Sequence, residues 1–242
     1  MRLKGSIPRL YLGVLEDRLG VEEGSIPGVS EQGLLTSFGK SLKRRSREVS
    51  CFGSGRMSSE EWWGEVVRAT FIGAGITETD LDGVFPEVFK ELFHEVFTGE
   101  AAWELVPGAN DVIGSLRAWC KEADGPRALG VISNFDERLH PLLKNLGVHD
   151  AFDFVLTSRE CGSEKPSPLM FSEALKRAGA LQHDIGAGVH IGDTFSTDVI
   201  GARGAGWEGV LITEQDRASD EERDVEHIRV RELVDVPKAL GI

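Results

Sequence analysis

The first hundred residues carry hydrophobic side chains at the three- and four-residue spacing of amphipathic helices. The hydrophobic stripes cover residues 7–15, 34–42, 62–71 and 84–97. Ser58 and Glu61 have the spacing of a capping box and predict the start of the third of these helices. We therefore predict a mainly helical region over residues 1–105 and interpret its many aromatic side chains as the core of a helix bundle.

The pattern changes near residue 108, where short apolar runs begin to alternate with amphipathic helices. The runs predicted to be strands cover residues 128–133, 152–157, 187–192 and 209–212. Strands that alternate with helices form a parallel sheet with right-handed crossover connections. The predicted fold class is therefore α/β, with a parallel sheet over residues 106–242 and a polar, solvated loop over residues 214–226.

The chain is strongly acidic, with 40 acidic and 27 basic residues and a net charge of −13. Binding to nucleic acid or to an anionic membrane requires a positive field, so we expect neither as a partner. The negative net charge does not exclude a small phosphorylated ligand, because one lysine or one metal ion can make the local charge of a pocket positive. The aromatic stripe over residues 85–97 suits a partner subunit as well as a core, so the oligomeric state stays open.

The cysteines point to a reducing compartment. Cys51, Cys120 and Cys161 are odd in number and too far apart for a CxxC pair, so neither a disulfide framework nor a zinc ribbon is expected. No apolar run approaches the roughly 18 residues that cross a bilayer. The N-terminal residues lack the continuous apolar stretch of a secretory signal. We expect an intracellular protein, with the cytoplasm as the default location.

Polar side chains of useful chemistry follow the predicted strands at their carboxyl ends, where open parallel sheets collect ligands. Ser133 and Asn134 follow the first strand, where a hydroxyl and nearby backbone N–H groups can hold an anion. Lys165 lies in the loop after the second strand, directly before Pro166, and can neutralise a phosphoryl group. The alternatives are an ordinary turn at Ser133–Asn134 and an ordinary surface lysine.

Two carboxylates follow the third strand. Asp193 and Asp198 are five residues apart across a strand-to-helix turn, so both can face one pocket. Carboxylate oxygens suit Mg²⁺, which keeps several waters and takes few protein ligands. The alternative is that both aspartates only cap the following helix.

Taken together, the strand ending in Ser133, the Lys165-Pro166 pair and the Gly192-Asp193-x₄-Asp198 run resemble motifs II, III and IV of the haloacid dehalogenase-like hydrolase superfamily. The resemblance implies a Rossmann-like core with an inserted helical cap, and phosphoryl transfer through an aspartyl-phosphate assisted by Mg²⁺. Ser133 would then bind phosphoryl oxygens, with Asn134 shaping the same turn, and Lys165 would stabilise the charge of nucleophile and phosphoryl group. Asp193 would contact Mg²⁺, and Asp198 would orient Lys165 or a metal-bound water.

Motif I of the superfamily, an apolar strand followed by the nucleophilic aspartate, is not found in the 242 residues. Asp17 lies inside the first predicted helix, and the run Asp80-Leu81-Asp82 follows a poor strand and precedes a strongly helical segment. The expectation is a sequence that starts just after motif I, through an incomplete gene model or an alternative product. The 242-residue chain is then expected to be inactive.

In the superfamily the motif I strand lies between the strands that end at Ser133 and Asp193. Without it, these two strands would each expose an unpaired edge or would pair with each other directly. The loss of a central strand is expected to cost more than the typical stability of a domain, about 5–15 kcal/mol.

Three functions stay open at this point. The first is a hydrolase of phosphatase type that acts on small phosphorylated molecules. The second is a non-catalytic binding or scaffold protein, which the absent nucleophile favours. The third is true dehalogenation of a 2-haloacid, which needs the same absent aspartate and has no support in the helical half.

Overall fold

The computed structural model describes residues 1–22, 24–122, 127–181, 188–215 and 219–242. Within these residues the helices are α1 (Ile7–Leu19), α2 (Glu31–Glu48), α3 (Ser59–Gly73), α4 (Glu78–Asp82), α5 (Phe85–His94), α6 (Ala109–Glu122), α7 (Leu139–Asn145), α8 (Ser158–Cys161), α9 (Pro168–Leu181), α10 (Ile200–Gly204), α11 (Asp220–Arg223) and α12 (Val236–Ala239). The strands are β1 (Arg2–Leu3), β2 (Trp103–Glu104), β3 (Gly130–Ser133), β4 (Phe154–Thr157), β5 (Val189–Gly192), β6 (Glu208–Ile212) and β7 (Ile228–Val230).

The predicted α/β class and the four predicted strands are confirmed, with ends that differ by one or two residues. The first residue of the third predicted strand, Ala187, lies outside the described residues. The segment predicted as a solvated loop contains α11, and its residues 216–218 also lie outside the described residues. The sequence pattern does not predict β1, β2 and β7, because two or three residues carry no measurable hydrophobic period.

The structure divides into two compact units, and the first is helical. It contains Met1–Glu104 together with Asp136–Leu146. The predicted capping box forms at Ser58 and Glu61, and α3 buries Trp62, Val66 and Phe71 in the core of this unit. Buried aliphatic and aromatic side chains from the other helices complete that core: Tyr11, Leu15, Leu34, Leu81, Val88 and Leu92.

The segment that includes α7 belongs to the helical unit, although the sequence pattern placed residues 106–242 together. A buried ion pair explains this. Asp136, 1% exposed, accepts hydrogen bonds from the Arg138 guanidinium at 2.8 and 2.7 Å and from Trp63 Nε1 at 2.7 Å. The guanidinium lies 4.1 Å from the centre of the Phe93 ring, and Glu137 accepts a hydrogen bond from Ser59. These contacts hold the segment against α3 and α5.

The second unit contains Leu105–Phe135 and Gly147–Ile242, and its strands form two parallel sheets. One sheet pairs β3 with β4, and the other has the order β5-β6-β7. Among the described strands, β3 pairs only with β4 and β5 pairs only with β6, so the two do not pair with each other. Each therefore keeps one edge without a strand partner in the described part of the chain.

Helix α9 packs Met170, Phe171 and Ala174 against Ile132 of β3 and Leu156 of β4, and all five side chains are buried. The Phe171 ring also meets the His190 ring of β5 edge-on, with ring centres 5.3 Å apart. One helix thus contacts residues from both parallel sheets, and this contact holds the strand ends that carry the polar residues. None of the described helices has the length and apolarity needed to cross a bilayer.

The Asp136–Arg138 pair should be essential for the stability of the helical unit. Changing Asp136 to Ala leaves the Arg138 guanidinium buried without its carboxylate, which should lower the free energy of unfolding by about 3–5 kcal/mol. Urea unfolding followed by circular dichroism measures this loss. Asp150 is fully exposed, so Asp150→Ala is the matched control and should change stability by less than about 0.5 kcal/mol. Equal effects of the two substitutions would contradict the structural role of the pair.

Candidate active site

The carboxyl ends of β3 and β4 lie level with each other, because Ser133 pairs with Thr157 in the parallel register. Ser133 is partly exposed, and Thr157 is buried as the N-cap of α8. The Phe135 carbonyl oxygen, two residues after Ser133, accepts hydrogen bonds from Ser158 Oγ at 3.2 Å and from the Arg159 N–H at 3.3 Å. The turn after Ser133 is therefore held by the start of α8.

Asn134 fixes the loop that carries Lys165. Its Nδ2 donates to the Lys165 carbonyl at 2.9 Å, and its Oδ1 accepts from the Lys165 backbone N–H at 2.7 Å. These two bonds satisfy both backbone groups of Lys165 in the way that a paired strand would. The sequence places Asn134 in the predicted phosphate-binding turn, and that role stays a prediction. In the structure its side-chain oxygen and one N–H position the Lys165 backbone.

The Lys165 ammonium group lies at the centre of the site. Its Nζ is 2.6 Å from Asp198 Oδ1, 3.0 Å from the Ile132 carbonyl oxygen and 3.2 Å from His190 Nε2. The side chain is 10% exposed, so it is not an ordinary surface lysine. Because Ile132 lies on β3 and His190 on β5, this one cation connects the ends of the two parallel sheets.

Asp198 is buried, and its carboxylate is fully engaged. Its Oδ1 faces Lys165 and His190, and its Oδ2 accepts from the Thr194 backbone N–H at 2.9 Å. Burial alone would raise the pKa of this carboxyl group, but the His190 and Lys165 contacts and the Thr194 bond together hold the pKa well below its usual range. Asp198 therefore remains ionised and paired with Lys165.

His190 joins the cluster, and the sequence interpretation assigned it no role. Burial lowers the pKa of the imidazole, against the opposing effect of its Asp198 contact, so the ring is neutral near pH 7. A neutral Nε2 atom either accepts from Lys165 or donates to Asp198, so its two contacts are alternatives set by the tautomer. An ionisable side chain inside the apolar run of β5 was the signal that could have identified it.

Two glycines allow the close approach of these groups. A Cβ atom on Gly192 would overlap the Asp198 carboxyl group, so only glycine leaves room for this aspartate at the end of β5. A Cβ atom on Gly201 would contact the Phe171 ring and Pro166, the residue after Lys165. Because these two residues have no side chain, the turn that carries Asp198 can lie close to the loop that carries Lys165.

Asp193 has a different environment from Asp198. It is exposed, and its Oδ1 accepts from Thr194 Oγ1 at 3.3 Å. Among the described side chains, Ser133 and Asp193 have no direct bond to the Lys165 cluster, although each lies next to a residue that does. The structure thus joins Asn134, Lys165 and Asp198 by direct hydrogen bonds. Ser133 and Asp193 are linked to this group only as sequence neighbours of Asn134 and Thr194.

The donor set does not by itself fit a Mg²⁺ site. Both oxygens of Asp198 are occupied by hydrogen-bond donors, which leaves Asp193 as the one predicted ligand with an open oxygen. In the described part of the chain, no three His, Cys, Asp or Glu side chains are grouped so that they could hold a metal ion. Of the two roles considered for Asp198, the geometry favours orientation of Lys165 over metal ligation.

Comparison with known proteins agrees with the motif resemblance. Residues 6–206 match the family described as haloacid dehalogenase-like hydrolase. Haloacid dehalogenase-like hydrolase domain-containing protein 3 of Bos taurus is 35% identical over 185 residues, which are 76% of this chain and 68% of that protein. Glyceraldehyde 3-phosphate phosphatase of Methanothermobacter thermautotrophicus is 39% identical over 97 residues, which are 40% of this chain and 41% of that protein.

A solved structure shares the fold. The crystal structure of a HAD phosphatase from Thermococcus onnurineus superposes with a TM-score of 0.55 over 97% of this chain and 87% of that chain. Its sequence identity is 22%, so this similarity concerns the fold alone. It agrees with the α/β core described above.

Replacing Asp198 should give a pH-dependent loss of stability. Asp198→Asn leaves the buried Lys165 ammonium without its counter-charge, which should cost about 3–5 kcal/mol near pH 7. Because the pKa of Asp198 is lowered in the folded state, its contribution is present above its ordinary value of 3.8 and is lost as the pH falls below that value. Urea unfolding of both proteins between pH 7 and 3 should show the difference shrinking below about pH 4. A difference that stays constant would contradict the assignment.

Replacing Gly192 tests the close approach at the end of β5. Gly192→Ala adds a Cβ atom where the Asp198 carboxyl group lies, so it should destabilise the protein by about 1–3 kcal/mol. A Cβ atom on Gly114 in α6 would have no other group within 4 Å, so Gly114→Ala should leave stability unchanged or raise it by up to about 1 kcal/mol. Thermal unfolding of the two variants compares them directly, and a neutral Gly192→Ala would argue against the packing of Asp198.

Proposed function

The chain belongs to the haloacid dehalogenase-like hydrolases. From this premise we propose that the strand-end site, formed by Ser133, Asn134, Lys165, Asp193 and Asp198, is of phosphatase type and recognises small phosphorylated molecules. The observation that carries the proposal is the buried Lys165–Asp198 pair at the carboxyl ends of β3 and β5. An ammonium group held rigidly in a low-dielectric site is suited to stabilise the charge of a phosphoryl group. The relative described as a glyceraldehyde 3-phosphate phosphatase supports the class of substrate.

Each residue of the site has a distinct role in this proposal. Ser133 binds phosphoryl oxygens through its hydroxyl group, and Asn134 positions the backbone of Lys165 for the same purpose. Lys165 supplies the positive charge, and Asp198 orients it through the 2.6 Å contact. The exposed carboxylate of Asp193 is the group available to contact a metal ion.

Mg²⁺ is used by phosphatases of this family in general, where it neutralises phosphoryl charge. Asp193 alone is a weak binding site, since the ion prefers several oxygen ligands in near-octahedral geometry. We therefore propose that the 242-residue chain by itself binds Mg²⁺ only weakly.

We also propose that the 242-residue chain by itself does not turn over a phosphate ester. Formation of an aspartyl-phosphate requires a carboxylate free to attack phosphorus. Asp198 is the only carboxylate in contact with Lys165 among the described residues, and its oxygens accept bonds from the lysine and a backbone N–H. A carboxylate so engaged is a poor nucleophile, which supports the expectation that motif I is needed.

A non-catalytic binding or scaffold role is the second candidate. One specific observation favours it: the Lys165 ammonium group donates to the Ile132 carbonyl oxygen and to Asp198 Oδ1, and His190 Nε2 lies 3.2 Å away. An incoming anion competes with these partners for the ammonium N–H groups, which favours binding of an anion over its turnover. We propose an intracellular, cytoplasmic location for either role, because the three cysteines are odd in number and form no CxxC pair.

An assay with p-nitrophenyl phosphate and Mg²⁺ tests the proposed function. The 242-residue chain should release no p-nitrophenol above the blank. The same chain preceded by an apolar strand that ends in Asp-x-x-x-Thr should become active, because the added aspartate supplies the attacking oxygen. The matched control carries Asn in place of that aspartate and should be inactive.

Two results would contradict the proposal. Turnover by the 242-residue chain that Asp193→Asn abolishes would mean that a nucleophile is already present. Failure of the extended chain to bind inorganic phosphate, or binding that Ser133→Ala leaves unchanged, would mean that the strand-end site is not a phosphate site.

A further inference from the structure

Helix α2 has a charge pattern opposite to that of the whole chain. Between Glu31 and Glu48 it carries five basic residues and no acidic residue, in a chain with a net charge of −13. The basic residues are Lys40, Lys43, Arg44, Arg45 and Arg47. Such a local concentration of positive charge in an acidic protein attracts anions to one face of one helix.

The five cations have different roles. Arg45 points inward, with 11% of its side chain exposed, and its guanidinium bonds Glu65 at 3.0 Å and the Met57 sulfur at 2.8 Å. Arg44 reaches Glu48 only at 4.0 Å across an exposed surface, where such a pair contributes little. Lys40 forms no ion pair with the described residues. Lys40 and Arg44 are four residues apart and therefore lie on the same helix face.

A groove of about 530 Å³ runs along this face of α2, beside α3, within the helical unit. Lys40 and Arg44 line it, together with the hydroxyl groups of Thr36, Ser37 and Ser41, and no carboxylate lines it. Ser37 and Ser41 are buried. Ser37 Oγ donates to the Ala69 carbonyl at 3.4 Å and Thr36 Oγ1 to the Gln32 carbonyl at 2.8 Å, so these two hydroxyl groups keep acceptor lone pairs. Gly73 of α3 keeps the space open, because a Cβ atom there would overlap the Ser37 hydroxyl group.

We propose that this groove binds the phosphate monoester of a small polar molecule. A phosphate monoester carries close to two negative charges near pH 7 and offers three acceptor oxygens. A lysine and an arginine one helical turn apart supply two charges and several N–H donors to match it. The hydroxyl groups of Thr36, Ser37 and Ser41 are suited to the polar body of the molecule, and the groove has the volume of a typical small-molecule site.

This site is independent of the proposed function. The groove lies in the helical unit and shares no residue with the strand-end site. The phosphate can come from a free phosphorylated metabolite or from a phosphate monoester headgroup of a lipid, and an experiment can separate these two sources.

The test follows backbone amide NMR signals of residues 36–44 in the full chain during titration with glucose 6-phosphate, with glucose as the uncharged reference. Glucose 6-phosphate should shift these signals in a saturable manner, and glucose should not. The double variant Lys40→Gln/Arg44→Gln should bind at least about tenfold more weakly, since two charge-assisted contacts are lost. The matched double variant Lys43→Gln/Arg47→Gln removes the same charge from the same helix outside the groove and should keep most of the affinity.

A second arm uses sedimentation with phosphatidylcholine vesicles that contain or lack phosphatidic acid. Binding to phosphatidic acid that needs Lys40 and Arg44, without shifts from glucose 6-phosphate, would support the groove with a lipid as the source. Equal weakening by both double variants would overturn the proposal, because it would show unspecific attraction to the basic helix. Absence of binding in both arms would overturn it as well. Ser133→Ala should not alter the shifts, which separates this result from the fate of the strand-end site.

Discussion

The ion pair between Lys165 and Asp198 is the interaction on which the second unit's site depends. Each partner is almost completely removed from water, so burying either charge without the other would be costly. The pair is completed by bonds that satisfy the remaining polar groups, from the Ile132 carbonyl, His190 and the Thr194 N–H. Through these contacts one lysine connects a strand end of each parallel sheet to the turn that follows β5.

Because Lys165 and Asp198 already have partners within the chain, the reactions that this site can support are limited. A phosphatase site needs a cation that can turn toward the phosphoryl group and a carboxylate that can attack it. Here the Lys165 ammonium group and the Asp198 carboxylate are already paired with each other. The proposed function therefore requires a further carboxylate that can act as the nucleophile.

The helical unit follows a different principle. Its apolar core is built by ordinary amphipathic packing, and its polar features are either buried and paired, as at Asp136 and Arg138, or displayed on a helix surface, as at Lys40 and Arg44. Buried pairs contribute to structure because a lone buried charge is costly. Exposed cations such as Lys40 and Arg44 contribute little to stability, so they can form ion pairs with a ligand at little cost to the fold.

Much of this protein could be derived from the residues in order. The hydrophobic period identified the helical first part and the four core strands, because burial of one face requires that spacing whatever the rest of the fold does. The positions of Ser133, Lys165, Asp193 and Asp198 at strand ends followed from the rule that parallel strands bring their carboxyl ends to one edge. The contact of Asp198 with Lys165 was one of two roles that the family resemblance implied for this aspartate.

Other features required the folded chain. The role of His190, the use of Asn134 as a clamp on the Lys165 backbone and the attachment of Asp136–Leu146 to the helical unit all depend on contacts between residues 8 to 78 positions apart. The same holds for the choice between metal ligation and lysine orientation at Asp198. The sequence determined which side chains lie at the end of a strand, because the hydrophobic period and the turn residues that define a strand act over a few neighbouring residues. Only the tertiary structure decided which of them are already bonded to each other, because hydrogen bonds and ion pairs depend on distances that the local pattern does not contain.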